Sequence, residues 1–584
     1  MKKSILLLAG ALVLASCSDF LTRTPEASFN SETYFRNEGS LKTYANGFIQ
    51  KYTPGAVDFV TSDVISDITV SQASSTFLTA DWDADKQGGW SSSDWNMLYN
   101  VNWFLANFRK TPGVSEEVLN HYEGTARFWR AYFYFEKVKT FGDVPWYEQP
   151  IDADDEEALY KGRDSRDLVM SKVLEDLNFA CEHLYGTDEW CKGAQINKWI
   201  ALAFKSKVCL YEGTFRKYHS VNPSTQQPWE DSSLQTTFLN ECIKACDEII
   251  KSGRFTIVTG NPKTAYRDLF TKEAVNRNEV IWAREYNAGL NIGHEITWRF
   301  AVGSYGTNYG GTRDFIKTFL NLDGSRHDEA VEDFATEMTG RDYRLTQIFM
   351  GPDYTKTVGS TTGVKTAPNC AVAPSGFHIC KFTLDDTAYE SAAISNNSIP
   401  LIRYAEVLLN YAEAKWEMGQ FGATEWNLTI KPLRERAGVA GDIPASADPF
   451  LAAYYGMNDM FGLEIRRERA IELYLEGSRV DDIYRWHKGE LLTKEWKGIY
   501  IPEVNTPFDL NNDGKPDVCY YTDKAGSESG VTYVKLNNTC QRGADGYLLW
   551  NIERKWKERN YVRPIPRKAL VVNPNLGQNK LWEE

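Results

Sequence analysis

SIPLIRYAEVLLNYAEAKWEMGQFGATEWNLTIKPLRERAG, residues 398–438, decides the fold. Ser398 is a suitable helix cap, and Pro400 sits where a first helical turn tolerates proline. Behind them Tyr404, Leu408, Tyr411, Ala412 and Trp416 recur at helical spacing, and Gly419 supplies the stop. A second set, Trp426, Ile430, Leu433 and Ala437, runs to Gly438. Small Ala405, Ala412 and Ala414 alternate with large apolar residues, so two antiparallel helices can approach closely. The stretch predicts a helical hairpin whose apolar faces are covered only by stacking on others.

The same pattern recurs outward from it. Leu41–Lys51 predicts a first helix after an extended polar leader over residues 18–40. Trp95–Lys110 is helical, with Leu98, Val101, Leu105 and Phe108 near one face. Gly124–Pro145 carries Phe128, Tyr132 and Phe135 at helical spacing, an aromatic face suited to a repeat core. Arg166–Leu184 and Asn197–Gly213 predict the next hairpin, and Leu239–Gly253 opens another. In Leu463–Leu492, Glu468, Glu472 and Glu476 form an i,i+4 stripe interleaved with arginines. Glycoside hydrolysis needs two carboxylates facing each other across a sugar, about 5–9 Å apart. A stripe on one helix fits structural ion pairs better. The fold class is mostly α: tetratricopeptide-like hairpin repeats over about 95–255 and 398–490, with irregular, loop-rich insertions over about 56–94 and 256–397. A few short strands, such as Glu279–Ala283, complete it.

Composition narrows the function. The 584 residues are 42% hydrophobic and 25% charged, which is globular, and the net charge of −14 argues against nucleic acid as the main partner. The N-terminus is a targeting segment: Lys2 and Lys3, an apolar run Ile5–Leu14 too short to span a bilayer, then Leu14-Ala15-Ser16-Cys17. Small residues before a cysteine predict cleavage of residues 1–16 and lipidation of Cys17, leaving residues 17–584 as one lipid-anchored domain. Nine further cysteines remain, of which Cys370/Cys380 and Cys519/Cys540 lie in loop-like sequence and are candidates for pairing.

The aromatic surplus, 18 Trp, 31 Tyr and 29 Phe, suits either helical cores or stacking on sugar rings. The loop over 56–94 carries Trp82 and Trp90. Tyr286–Gly311 is dense in glycine and aromatics, with Trp298, Tyr305 and Tyr309, and no Gly-Lys-Ser/Thr follows to make it a phosphate loop. Asp509, Asn511, Asp513 and Asp517 place oxygen side chains around Gly514 in the manner of a calcium loop. Tyr520 stands where a full EF-hand needs glutamate, so the alternatives are a short structural calcium loop or an Asx-rich turn without metal.

Four separated segments resemble the SusD/RagB family of outer-membrane nutrient-binding lipoproteins. They are Arg403–Leu409; Asn102–Asn107 with Gly124–Pro145; Glu468–Trp486; and Arg563–Pro566 with Asn573–Asn579. The resemblance implies a surface glycan-binding lipoprotein without catalytic activity. It implies capture of oligo- or polysaccharide and delivery to a TonB-dependent SusC-like transporter of the outer membrane. It also implies ligand contacts at Tyr99 and Asn102, although Asn102 has an equally ordinary role bonding neighbouring backbone. With the loop aromatics, the candidate ligand residues are Trp82, Trp90, Tyr99, Asn102, Trp298, Tyr305 and Tyr309. A secreted glycan-degrading enzyme, or a peptide-binding lipoprotein of the same transport system, remains the alternative reading.

Overall fold

The computed structural model describes residues 34–191, 195–303, 308–327 and 333–583. The longer helices are α1 (Glu38–Tyr52), α2 (Ser92–Asn107), α3 (Glu116–Phe141), α4 (Arg166–His183), α5 (Lys198–Tyr218), α6 (Leu234–Lys251), α7 (Tyr404–Glu417), α8 (Ala423–Arg436) and α9 (Met460–Glu472), followed by the short α10 (Arg479–Arg485). Local chemistry starts several of them: the side chains of Asn37, Ser115, Ser165 and Asn197 each accept a backbone N–H of the first turn.

The helices pack side by side as predicted, but the hairpins fall in a different frame. α3 pairs with α4 and α5 with α6, while α6 also packs on α7 and α7 on α8 and α9. Gly213 makes the α5–α6 approach possible, because a Cβ there would lie 2.8 Å from Leu239 Cγ. Ala405 and Ala412 sit in a core with Trp426, Ile430, Leu433 and Ile465, the close α7–α8 contact expected from their size. The main apolar cluster runs from Phe35 to Leu576. Among the described residues no helix is long and apolar enough to cross a membrane.

The deciding stretch differs at its start. Ser398 caps no helix; its hydroxyl donates to the Glu273 carbonyl (2.5 Å). Ile399–Arg403 is a fully buried strand that pairs antiparallel with Val280–Arg284, and α7 begins only at Tyr404. Pro400 stands opposite Ala283, beside an irregularity in the register, where a missing N–H costs least. The run Ile-Pro-Leu-Ile reads equally as buried strand or helix start, and its partner is more than a hundred residues upstream.

That strand delivers Arg403 into an ionic core. Arg403 pairs with Glu279 (2.7 Å), Glu472 (2.9 Å) and Glu476 (2.7 Å). Arg436 also meets Glu279 and Glu472. Arg344 bridges Asp342, Glu468 and Glu472, and Lys381 binds Glu476 (2.6 Å). Arg434 continues the chain to Glu464 and Glu468. A neighbouring cluster joins Arg469 and Arg485 to Glu413 and Asp482. The predicted glutamate stripe is therefore structural and wholly buried. Burial alone would raise the Glu472 pKa, but Arg436, Arg403 and Arg344 outweigh it and hold the carboxyl below its ordinary value.

The eight cysteines whose side chains are described are all buried free thiols, so the candidate disulfides do not form. Cys519 and Cys540 lie on strands of different sheets. Cys370 faces the Pro368 carbonyl (4.0 Å), and Cys380 the Gln347 carbonyl (3.8 Å).

The C-terminal asparagines are a clamp. Asn579 donates to the carbonyls of Phe141 (3.0 Å) and Arg563 (2.8 Å), and accepts from Arg163 (2.6 Å). Asn573 and Asn575 donate to the carbonyls of Lys161 and Tyr160 (2.8 Å each).

Breaking the ionic core from one side strands a buried charge. Glu472→Gln is expected to lower the unfolding free energy by about 3–5 kcal/mol, read from the urea midpoint at pH 7. A change within about 0.5 kcal/mol would show that the network carries little of the stability.

Candidate functional site

The structure spreads the sequence-predicted ligand residues over several surfaces. Tyr99, on α2, is 48% exposed. Asn102, one turn further on, is buried: its amide donates to the carbonyls of Tyr147 (2.9 Å) and Gln149 (3.3 Å), and its oxygen accepts from Arg130. It braces the loop after α3, which removes it from a ligand surface. Trp90 packs edge-on against Trp95 and Phe141 as part of the α3 wall. Trp298 is half-buried on the short helix Ile296–Ala301. Tyr309 is half-buried in the strand Tyr309–Gly311, with its ring 6.3 Å from that of Phe300. Tyr305 and Cys17 lie outside the described residues.

Trp82 is the candidate placed in a groove. It stands half-buried with Ser75, Thr76, Thr79, Asp81 and Gln87 around a polar depression of about 530 Å³. Its ring contacts Phe77 edge-on (5.6 Å), and the Arg563 guanidinium lies 5.4 Å over it.

Phe77 and Arg563 also belong to a second cavity, of about 440 Å³, that the sequence did not reveal. α3 contributes Tyr132 and Lys139, α5 contributes Lys207 and Tyr211, and α10 contributes Asp481 and Tyr484. The strand pair supplies Trp282 and Ile402, the segment after α1 supplies Phe59, Ser62 and Asp63, and the C-terminal stretch supplies Asn560 and Tyr561. Residues from both ends of the chain meet here, so no local motif could announce it. The only signal was the aromatic face of α3, which predicts core and here turns partly into the cleft.

Most charge in this cleft is paired. Lys139 bonds Asp481 (2.9 Å) and Glu136 (3.0 Å), and Lys207 meets Glu406 (3.3 Å). Asp63 is buried and accepts the backbone N–H groups of Ser478 (2.9 Å) and Arg479 (3.1 Å), capping the start of α10. Burial pushes its carboxyl up to about 6, against the lowering effect of those amides.

The loop carrying Asp509, Asn511, Asp513 and Asp517 is closed by its own amides. Asp509 accepts from Asn511, Asn512 and Gly514 (2.9, 2.7 and 2.8 Å), Asn511 from Asp513 (3.0 Å), and Asp517 from Leu510 (2.8 Å). Burial raises the Asp517 carboxyl against the lowering effect of the Leu510 amide, and the charges of Asp509 and Asp513 raise it further. Among the described residues no three histidine, cysteine or acidic groups alone form a metal cage. A cation here needs Asn511 and backbone carbonyls as well. The donor set is all oxygen, which suits calcium.

Helical hairpins stacked around a buried ionic core describe a helical-repeat fold. Comparison with known proteins makes that specific. The sequence pattern of the SusD family matches residues 278–582, more than half the chain, and a second pattern, described as starch-binding associating with outer membrane, matches residues 19–210. The chain belongs to the SusD family. It is 24% identical over 531 residues to SusD-like protein P2 of Formosa agariphila, covering 86% of this chain and 93% of that protein. With SusD-like protein P25 of the same organism it shares 23% over 311 residues, and that match spans about half of each chain, 50% here and 52% there. A SusD-like protein from Bacteroides fragilis superposes with a TM-score of 0.70 at 20% identity, over 96% of this chain and 100% of that one. A SusD-like carbohydrate binding protein from the same species gives 0.66 at 19%, over 93% and 100%. These structural likenesses establish the fold.

Because the folded Asp63 holds its proton more tightly than an unfolded aspartate, its contribution is fully present below about pH 4 and is lost as pH rises through about 6. The stability of wild type relative to Asp63→Asn should therefore fall between pH 5 and pH 7.5 in urea titrations. A constant difference would show that Asp63 does not titrate in that window.

Proposed function

We propose that the protein is a cell-surface glycan-binding lipoprotein that captures oligo- or polysaccharide and passes it, uncleaved, to a TonB-dependent SusC-like transporter in the outer membrane. Family membership carries this reading, since the two matching patterns together reach from residue 19 to residue 582. The names of relatives point the same way, including the SusD-like carbohydrate binding protein of Bacteroides fragilis and surface glycan-binding protein A of Bacteroides fluxus. In this reading residues 1–16 are removed and the lipid on Cys17 holds the protein at the membrane.

The polar groove at Trp82 supports the reading physically. Its wall is one indole among hydroxyl, amide and carboxylate groups, the mixture that sugar hydroxyls and their apolar ring faces require. Exposed Tyr99 and half-buried Trp298 are further contact candidates at other places on the surface.

The test is calorimetric titration of the soluble protein, residues 18–584, with a panel of neutral, uronic-acid and sulfated oligosaccharides, with product analysis on the same samples. One glycan class should bind without cleavage, and Trp82→Ala should weaken it about tenfold, the loss of one stacking contact. Release of shorter sugars would make the protein an enzyme and overturn the reading.

For the loop at 509–517 we propose a weak, structural calcium site. EDTA-stripped protein should take up calcium at millimolar levels and gain about 1.4 kcal/mol of stability at ten times the dissociation constant. Asp513→Ala should abolish both effects; no uptake by the stripped protein would leave the loop an Asx-rich turn.

A further inference from the structure

Among the described residues, the aromatic cleft beside Trp82 holds one cation without a counter-charge. Lys139 bonds Asp481 and Glu136, and Lys207 meets Glu406. Arg563 lines the same cleft, but its side chain has no carboxylate partner and no hydrogen bond, and its guanidinium lies 5.4 Å over the Trp82 ring. It is half-buried, and its nitrogens keep surface open to solvent, unlike the sealed Nε atoms of Arg554 and Arg559. The main chain fixes where it stands: the Arg563 N–H donates to the Thr140 carbonyl (2.7 Å), and its own carbonyl accepts from Asn579 (2.8 Å). An unpaired guanidinium in a cleft is conspicuous in a chain with 79 acidic against 65 basic residues. Partly desolvated, it gains most from a carboxylate or sulfate, which its planar fork meets with two parallel hydrogen bonds.

The rest of the wall selects what carries that acid group. Phe59, Phe77, Tyr132 and Tyr484 are half-buried and line a space of about 440 Å³, room for a ring-sized ligand. Aromatic faces of this kind stack on the apolar face of a pyranose. Lys139 is outnumbered by its two carboxylates, and Asp58 and Asp63 add further negative charge, so the cleft away from Arg563 repels an anion. That repulsion turns an acid group to the Arg563 end. It also disfavours a phosphate dianion, which brings two charges to one guanidinium. A neutral sugar or a hydrocarbon chain leaves the guanidinium unpaired. We propose that this cleft binds a sugar residue with a single negative charge, a uronate or a sulfate monoester, its acid group on Arg563 and its ring on the aromatic wall. The inference rests on the glycan-binding reading and adds to it the place and the substrate class, an acidic glycan.

The experiment titrates the oligosaccharide panel into wild type and three variants of the soluble protein. Arg563→Gln removes the charge, and Arg563→Lys keeps it without the fork. Because the Arg563 side chain bonds nothing in the protein, both should melt at the wild-type midpoint. Ser62→Trp places a bulky ring at the exposed rim, where Ser62 bonds only the Phe59 carbonyl of its own turn. Wild type should bind a uronic-acid or a sulfated member about tenfold tighter than its neutral counterpart, the worth of a charge-assisted pair, and the two arms name the acid group. Arg563→Gln should bring that affinity down to the neutral level, and Arg563→Lys should lose less. Raising the ionic strength should weaken binding of the acidic member by wild type and leave Arg563→Gln unmoved. Ser62→Trp should abolish binding. Preference for neutral members, or wild-type affinity in Arg563→Gln, overturns the acidic assignment and leaves glycan binding intact. Undiminished binding by folded Ser62→Trp puts the ligand outside the cleft and overturns the place. Failure of wild type to bind any member overturns both this inference and the function beneath it. If Ser62→Trp does not fold, the two Arg563 variants decide alone.

Discussion

Arg403 is the constraint on which the rest of the molecule depends. It has 0% side-chain exposure and is held by three glutamates from two distant parts of the chain. A guanidinium in a dry interior costs several kcal/mol unless every donor is met, so its partners must be in place together. Glu279 arrives just ahead of one strand, Arg403 ends the strand beside it, and Glu472 and Glu476 arrive from α9 and the turn that follows. The strand pair, α7 and α9 are therefore positioned by one charge arrangement as much as by apolar contact. Such a core is specific rather than cheap: apolar residues could fill the space, but they would not fix which helix lies against which strand.

Much of this was legible in advance, and the failures have physical causes. The helices of the repeats show in the 3.6-residue recurrence of their apolar residues, because each must bury one stripe. The glutamate stripe was readable as structural from its interleaved arginines. The start of α7 was not readable, because Ile399–Arg403 is buried on all sides and so lacks any alternation. The pairing of α5 shifted for a related reason: it is buried nearly all round from Ile200 to Arg216, so period alone does not say which neighbour it takes first. Of the ligand candidates, Asn102 went astray because an asparagine that braces a loop and one that reaches a sugar are identical in sequence. The aromatic cleft was beyond sequence altogether, since its walls come from residues about 500 apart.

Two cavities of different character lie near Trp82. One is a polar groove lined by Ser75, Thr76 and Gln87, and the other a more aromatic recess lined by Phe59, Phe77 and Tyr132. The helices behind them are packed on their neighbours and on the ionic core.

The asparagine clamp joins stretches of chain that lie far apart in sequence. Asn560, Tyr561 and Arg563 belong to the cleft wall, and the segment bearing them is pinned by Asn573 and Asn579 to α3 and the loop beyond it. Residues 560–563 therefore build part of a pocket whose other walls lie hundreds of residues earlier. The contact that completes this cavity wall is thus one of the longest loops the chain has to close, and it belongs to the slow end of assembly.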